Sequence, residues 1–194
     1  MNNLSQISIF NTNIKTLHDT SYDNNNNQYL TNSTYPAIDF DEVKNTYILA
    51  NSTISTNIMR SNDALVILNP TNARILFIEF KNGDIHSNLE KEKIRTKIAE
   101  SLLIFNDIVD VDLTFDRNSI NYILVYNQAN NPAFQNQRTN SLTQLATAIG
   151  NTANMSYLIN GFDRYKAFFH DIKTINETEF AIIENQLQNN TYTF

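Results

Sequence analysis

The chain has no cysteine, only three glycines and three prolines, and no apolar run of membrane-spanning length among its 194 residues. Each shortage closes off a class of function. Without thiols there is no disulfide scaffold, no thiolate zinc site and no cysteine nucleophile. Gly83, Gly150 and Gly161 stand too far apart to write G-x-x-x-x-G-K-[ST] or G-x-G-x-x-G, so the close backbone approach needed by P-loops and dinucleotide sites is missing. His18, His86 and His170 are too scattered for an H-E-x-x-H zinc site, and no serine–histidine pair suggests a hydrolase triad. No stretch of 18 apolar residues exists, so no transmembrane helix is expected. Met1-Asn2-Asn3-Leu4-Ser5-Gln6 lacks a basic region followed by an apolar block, so no secretory signal is expected and the cytoplasm is the expected location.

A surplus of basic residues is also missing. Fourteen Lys and Arg face twenty Asp and Glu, giving a formal charge of −6. Proteins that hold nucleic acid through bulk electrostatics are normally basic, because affinity follows the number of phosphates neutralised. Contact with nucleic acid would have to come through a local basic patch. A group of carboxylates kept for a metal ion would pull the balance the same way.

What is present fits one domain over residues 1–194, with 41% hydrophobic residues to build a core. The tract Asp23-Asn24-Asn25-Asn26-Asn27-Gln28 reads as an exposed loop over residues 22–28. Residues 36–48 open a short helix with Pro36 near its start, and Ser52 to Met59 supply a strand. The clearest segment follows. Asp63-Ala-Leu-Val-Ile-Leu-Asn69 and Arg74-Ile-Leu-Phe-Ile-Glu-Phe-Lys81 are β-branched and aromatic runs flanking Asn69-Pro70-Thr71-Asn72, and they read as an antiparallel hairpin. Ser87 and Glu90 form a capping-box signal before Ile94, Ile98, Leu102 and Phe105, predicting a helix over 88–106 whose other side carries Lys91, Lys93, Arg95 and Lys97. Residues 120–126 read as a buried strand and 141–150 as helical; Asn176-x-x-Glu179 caps a further helix carrying Phe180, Ile183 and Leu187. Phe162, Tyr165, Phe168 and Phe169 have the spacing of one buried helical stripe rather than of a base-stacking platform. The C-terminal portion, 141–190, is thus helical and aromatic-rich. The order helix, three strands, helix, strand, helices predicts an α/β fold, a mixed central sheet flanked by helices.

The chemistry lies in the hairpin, where charged residues interrupt apolar strands. Glu79 and Lys81 share one face of their strand, while Ile78 and Phe80 take the other. A five-residue connection pairing Leu68 with Arg74 sets Asp63 opposite Glu79. A four-residue connection places Asp63 opposite Ile78 and needs a bulge to bring the acids together. Two carboxylates on adjacent strands suit Mg²⁺, which keeps waters and adds phosphate oxygens to its octahedron. A lysine beside them could orient the attacking water or stabilise charge on phosphorus.

Asn62-Asp63, fifteen intervening residues and then Glu79-Phe80-Lys81, followed by a capped helix, resemble the PD-(D/E)XK, or restriction-endonuclease-like, nuclease superfamily. The likeness spans a nuclease-like core of about residues 36–126, with Asn62 standing where the motif name has proline. It extends to uncharacterised small bacterial members, through Asn82-Gly83 and the basic helix with Lys97 and Ser101 a turn apart. The resemblance implies a metal-dependent phosphodiesterase using Mg²⁺ or Mn²⁺, with DNA as the nucleic-acid partner and a homodimer that cuts both strands. Restriction, phage defence or repair would be its setting. It implies Asp63 and Glu79 as metal-binding acids, Lys81 as the catalytic lysine, and Glu42 as an additional acid from the first core helix, with Asp39 or Asp41 as substitutes.

Two other functions fit the same residues. A nuclease-like domain without catalysis, kept as a binding or immunity-type interaction protein, agrees with the acidic charge and the lack of a DNA-recognition appendage. A structural α/β module in which E-x-K is an accident is the other. Either acid turned to solvent, or locked in an ion pair with no room for an ion, would remove the hydrolase from consideration.

Overall fold

A computed structural model describes residues 4–51, 59–69, 74–132 and 161–193. The expected strand over 52–59 and the expected helix over 141–150 fall almost wholly or wholly outside these residues.

The expected hairpin is the centre of the fold. Strand β5 (Ala64–Asn69) pairs antiparallel with β6 (Arg74–Lys81). Ala64 faces Ile78 and Leu65 faces Phe77, but the register shifts between Ile67 and Asn69, so the last pair is Asn69 with Arg74. Over Ala64–Ile67 this is the register of the five-residue connection, the one that sets Asp63, just before the strand, opposite Glu79. The irregularity is confined to the turn end, where Asn69 rather than Leu68 meets Arg74.

Around this hairpin, β1 (Ile14–Thr16), β4 (Pro36–Asp39) and β7 (Ile120–Tyr126) and β8 (Asp171–Asn176) complete a sheet ordered β1-β4-β5-β6-β7-β8. The β1, β4, β5 and β6 neighbours run antiparallel, and β6, β7 and β8 run parallel, so the sheet is mixed as expected. Two short strands, β2 (Tyr22–Asp23) and β3 (Gln28–Tyr29), form a separate ribbon. Residues 22–28, expected to be an exposed loop, therefore belong to a short hairpin in which Tyr22 pairs with Tyr29 and Asp23 with Gln28. Asp23 accepts from the backbone N–H of Asn25 at 2.9 Å, and Asn27 takes the left-handed conformation (φ 48°) that asparagine tolerates at such turns.

The helices are α1 (Ser8–Asn11), α2 (Leu17–Thr20), α3 (Phe40–Ala50), α4 (Asn88–Val109), α5 (Leu113–Ser119) and α6 (Glu177–Gln188). Two boundaries differ from expectation for physical reasons. Pro36 begins a strand rather than a helix: Ile38 pairs with Ile14 on one side and Leu65 on the other, and Asp39 caps α3 through the Glu42 N–H at 3.1 Å. Ser87 caps α4 as expected, at 3.1 Å from the Glu90 N–H, but the Glu90 carboxylate does not reach back; it turns to Lys81 and Lys93. Asn176 and Glu179 do form a full capping box at the start of α6. Phe162, Tyr165, Phe168 and Phe169 lie around a short 3-10 turn, Asp163–Ala167, not along an α-helix; Phe162 and Phe169 are buried all the same, and the Phe169 ring packs 5.7 Å from Tyr122.

Alternation along the strands divides the core in two. On one side Leu65, Ile75, Phe77, Tyr122 and Leu124 pack against Ile94, Ile98, Leu102 and Phe105 of α4 and against Phe40 and Val43 of α3. On the other side Val66, Leu76, Ile78, Phe80, Ile123 and Val125 pack against Phe180 and Leu187 of α6. The helices thus cover both faces. No helix of the described residues is long and apolar enough to cross a membrane.

Candidate functional site

Glu79 projects from the middle of this core. Its neighbours Ile78 and Phe80 fill the face toward α6, and alternation sends Glu79 to the face covered by α4, where it is completely buried. An unpaired carboxylate at such a position would cost several kcal/mol or take up a proton, roughly. The Nζ of Lys97, from the third turn of α4, lies 2.8 Å from Glu79 Oε1 and 2.9 Å from Oε2. The same Nζ is 2.9 Å from Asp63 Oδ1. One ammonium therefore holds both acids, and their nearest oxygens are less than about 6 Å apart.

The segment that delivers Asp63 is stapled to its surroundings. The Arg60 N–H donates to Glu100, the Asn62 N–H donates to Ser101 Oγ at 2.7 Å, the Ser61 hydroxyl donates to Asp41, and the Asp63 carbonyl accepts from the Phe40 N–H at 3.2 Å. The second carboxylate oxygen of Asp63 accepts from the Phe80 N–H at 2.6 Å. Strand β5 begins only at Ala64, so this side chain takes the place of a backbone acceptor at the end of the ladder.

The electrostatics follow from burial and from the odd count of charges. Desolvation, reinforced by the charge of Asp63, pushes Glu79 up to about 8, against the pull of Lys97 and Lys81. Asp63 is raised as well, by burial, with Lys97 opposing. Desolvation would lower Lys97, but the two carboxylates outweigh it and hold the ammonium protonated well above the ordinary lysine range. Nearby lie two buried polar groups with no hydrogen-bond partner among the described residues, the Asn62 side-chain amide and the Tyr122 hydroxyl. The Tyr122 pKa is raised by burial and then by the charges of Glu79 and Asp63.

The other expected residues are placed differently. Lys81 ends its strand on the same side as Glu79, yet its Nζ pairs with Glu90 at 3.1 Å rather than with either acid. Glu42 is exposed on α3, and its backbone rather than its carboxylate serves the fold. Asp39 pairs with Lys15 at 2.7 Å. Asp41 is the acid of α3 whose charge is felt by both Asp63 and Lys97. Lys97 was visible in the sequence only as part of a basic helix. Its signal lies in the stripe Ile94, Lys97, Ile98, Ser101 and Phe105, where a lysine and a serine fall on the apolar side of α4, one turn apart.

These groups sit at the floor of a cleft of about 500 Å³ at the carboxyl end of β6. Asp63, Lys97, Lys81 and Glu90 line it from the sheet and α4, and the β2–β3 hairpin supplies the opposite wall. Glu79 lies beneath Lys97 and is sealed from the cleft. Among the described residues no group of three or more His, Cys, Asp or Glu side chains could hold a metal ion. The donor set for a cation here is two carboxylates, which is within the range Mg²⁺ accepts when waters and phosphate oxygens complete its shell. Comparison with models of protein families, with curated proteins and with solved structures gives no match to this chain.

Proposed function

We propose that this chain is a metal-dependent phosphodiesterase with a restriction-endonuclease-like core that cleaves nucleic acid, DNA in the first instance. The observation that carries the proposal is the convergence of Asp63 and Glu79 on one cation position in the floor of a polar cleft. That position is held by the Lys97 ammonium. The lysine lines the open cleft and sits on a flexible four-carbon stem, so its outward movement would open a path from the cleft to Glu79 beneath it. The displaced ammonium then faces the cleft, where a phosphate would lie.

In this scheme Asp63 and Glu79, both as carboxylates, would hold Mg²⁺ or Mn²⁺. The bound ion would lower the pKa of a water and offset charge on the scissile phosphate. Lys97 stabilises the charge that develops on phosphorus, and Lys81, exchanging Glu90 for substrate, supports it from the cleft mouth. Asp41 is the acid of α3 best placed to support the ion; Glu42 has no part. A homodimer could cut both strands of a duplex.

The test is nicking of plasmid and single-stranded DNA with Mg²⁺ or Mn²⁺. The expected result is cleavage that disappears in Glu79→Ala and Lys81→Ala and on chelation of the metal. Cleavage that survives both substitutions would overturn the assignment. One observation favours a second reading: Lys97 already satisfies both acids, as a permanent structural ion pair would. The chain would then be a nuclease-like binding or immunity protein. Calorimetry with Mn²⁺ separates the two, because a permanent pair gives no heat of metal binding.

A further inference from the structure

The wall of the cleft opposite the acids has a composition of its own. Cleft-lining charge is four carboxylates (Asp23, Asp63, Asp84 and Glu90) against two ammonium groups (Lys81 and Lys97), and both ammonium groups are engaged by acids. Such a lining does not attract a phosphate backbone by its net charge. What it offers is aromatic surface and amides. Tyr22 and the amides of Asn24, Asn25 and Asn26 line the cleft from the β2–β3 hairpin.

The tyrosine is held in a ladder of rings. The Tyr22 ring lies 4.7 Å from that of Tyr29, and Tyr29 stacks on His18 at 3.8 Å and 17° between planes. His18 Nδ1 is fixed 2.8 Å from the Thr31 carbonyl oxygen, and the Tyr22 hydroxyl donates to Asn27. A cross-brace from Asn82 Nδ2 to Gln28 Oε1, at 3.1 Å, ties the hairpin to the end of β6 next to Lys81. Despite this scaffolding, Tyr22 and Tyr29 remain 37% and 44% exposed. Folding alone gives no reason to hold Tyr22 tilted at 41° against the stacked Tyr29–His18 pair and leave both tyrosines exposed, with Tyr22 in the cleft wall. A planar ligand that stacks gives one.

We propose that the β2–β3 hairpin is a base-binding wall and that the substrate segment entering the cleft is an unpaired strand of nucleic acid. An unpaired base stacks on the Tyr22–Tyr29 ladder while its Watson–Crick edge meets the asparagine amides, which can both donate and accept. A duplex keeps those faces and edges occupied and gains little from this wall. This inference rests on the phosphodiesterase assignment, and it narrows the substrate class of the same site.

Fluorescence anisotropy in EDTA, where no cleavage occurs, provides the test. Labelled 12-mers of single-stranded DNA, single-stranded RNA and duplex DNA are titrated with the intact chain. The expected result is that at least one single strand binds about tenfold or more tightly than the duplex, and comparing the DNA and RNA arms identifies the preferred sugar. Tyr22→Leu lowers single-strand affinity about tenfold and leaves duplex affinity unchanged, while Tyr22→Phe, which keeps the ring, retains most of it. Thermal melts of both variants verify that the hairpin change has not unfolded the chain. Equal affinity for single and double strands, or a Tyr22→Leu variant that binds like the parent, overturns the inference. Ring-dependent binding without cleavage in Mg²⁺ would leave the base wall standing and sink the phosphodiesterase instead.

Discussion

Glu79 and Asp116 are both buried carboxylates, placed at opposite ends of the same helix and given opposite company. Asp116, in α5, is covered by the C-terminal half of α4 and accepts a hydrogen bond from Asn106 Nδ2 at 2.7 Å; among the described residues it forms no ion pair, and the neighbouring Arg117 charge pulls on it only at a distance. Burial pushes it up to about 6. Glu79 is covered by the N-terminal half of α4, shares an ammonium with a second acid, and is pushed higher, to about 8. A partner of opposite charge normally lowers a carboxylate. The larger rise at Glu79 comes from deeper desolvation and from Asp63, so two acids share one cation and the site keeps a surplus of negative charge. A neutral amide is enough to seat a structural acid. Two acids around one lysine leave a surplus of negative charge, and the proposed metal site rests on that surplus.

The strongest way to break this comparison is to remove the cation. Lys97→Met leaves two buried acids facing each other and is expected to cost about 3 kcal/mol in urea unfolding, near the lower end for breaking a buried pair because Glu79 can protonate. Asp116→Asn is expected to change stability at neutral pH by less than about 1 kcal/mol. Equal losses would make the two acids the same kind of structural group.

A second measurement sharpens the difference through metal. If Glu79 is a ligand as proposed, a divalent ion competes with its proton, and Mn²⁺ affinity measured by calorimetry is expected to rise toward about tenfold per pH unit as the pH climbs to about 8, and then to level off. Glu79→Gln should abolish the metal's heat, and Asp116→Asn should leave the profile unchanged. A flat profile in the parent protein would remove Glu79 from the ion's ligands.

The smallest effect separates the two acids by pH alone. Both have folded pKa values above their unfolded ones, so the stability each contributes is fully present below the ordinary carboxylate range and is lost as pH rises through the folded value. For Asp116 the loss ends near pH 6, and for Glu79 it continues to about 8. Thermal melts across pH 4 to 9 should show Asp116→Asn flattening only the part below about 6, and Glu79→Gln flattening the fall all the way to about 8, including the interval above 6 that Asp116→Asn leaves intact. A parent protein whose stability rises over that upper interval would contradict the assignment for Glu79.

The parts of the molecule that were legible in the sequence are those governed by local pattern. The β5–β6 hairpin, the caps at Ser87 and Asn176 and the wholly buried strand 120–126 follow from periodicity and turn chemistry. Strand β8 was hidden because Asp171–Asn176 runs straight into the α6 cap, and its alternating burial is easily absorbed into the helical segment that follows. Pro36 was misleading because it suits the first position of a helix and of a strand alike, and only pairing on both sides decides. Asp63 and Glu79 could be picked out as charges interrupting apolar runs. The Lys97 pairing could not, since it depends on the depth at which α4 lies over the sheet, a tertiary quantity. Lys81 looked equivalent by spacing and was diverted by Glu90, a competitor on the neighbouring helix. The hairpin over residues 22–29 was masked by its asparagine-rich tip, although Tyr22 and Tyr29 bracket that tip symmetrically.

The bond from the Phe80 N–H to Asp63 joins two jobs in one carboxylate. An oxygen that completes the strand ladder is on the same group that would receive an ion, so occupancy and strand registry cannot change independently. The backbone amide of Phe80 thereby becomes a built-in spectroscopic handle, its proton resonance and exchange rate tied to whatever charge Asp63 is holding at that moment.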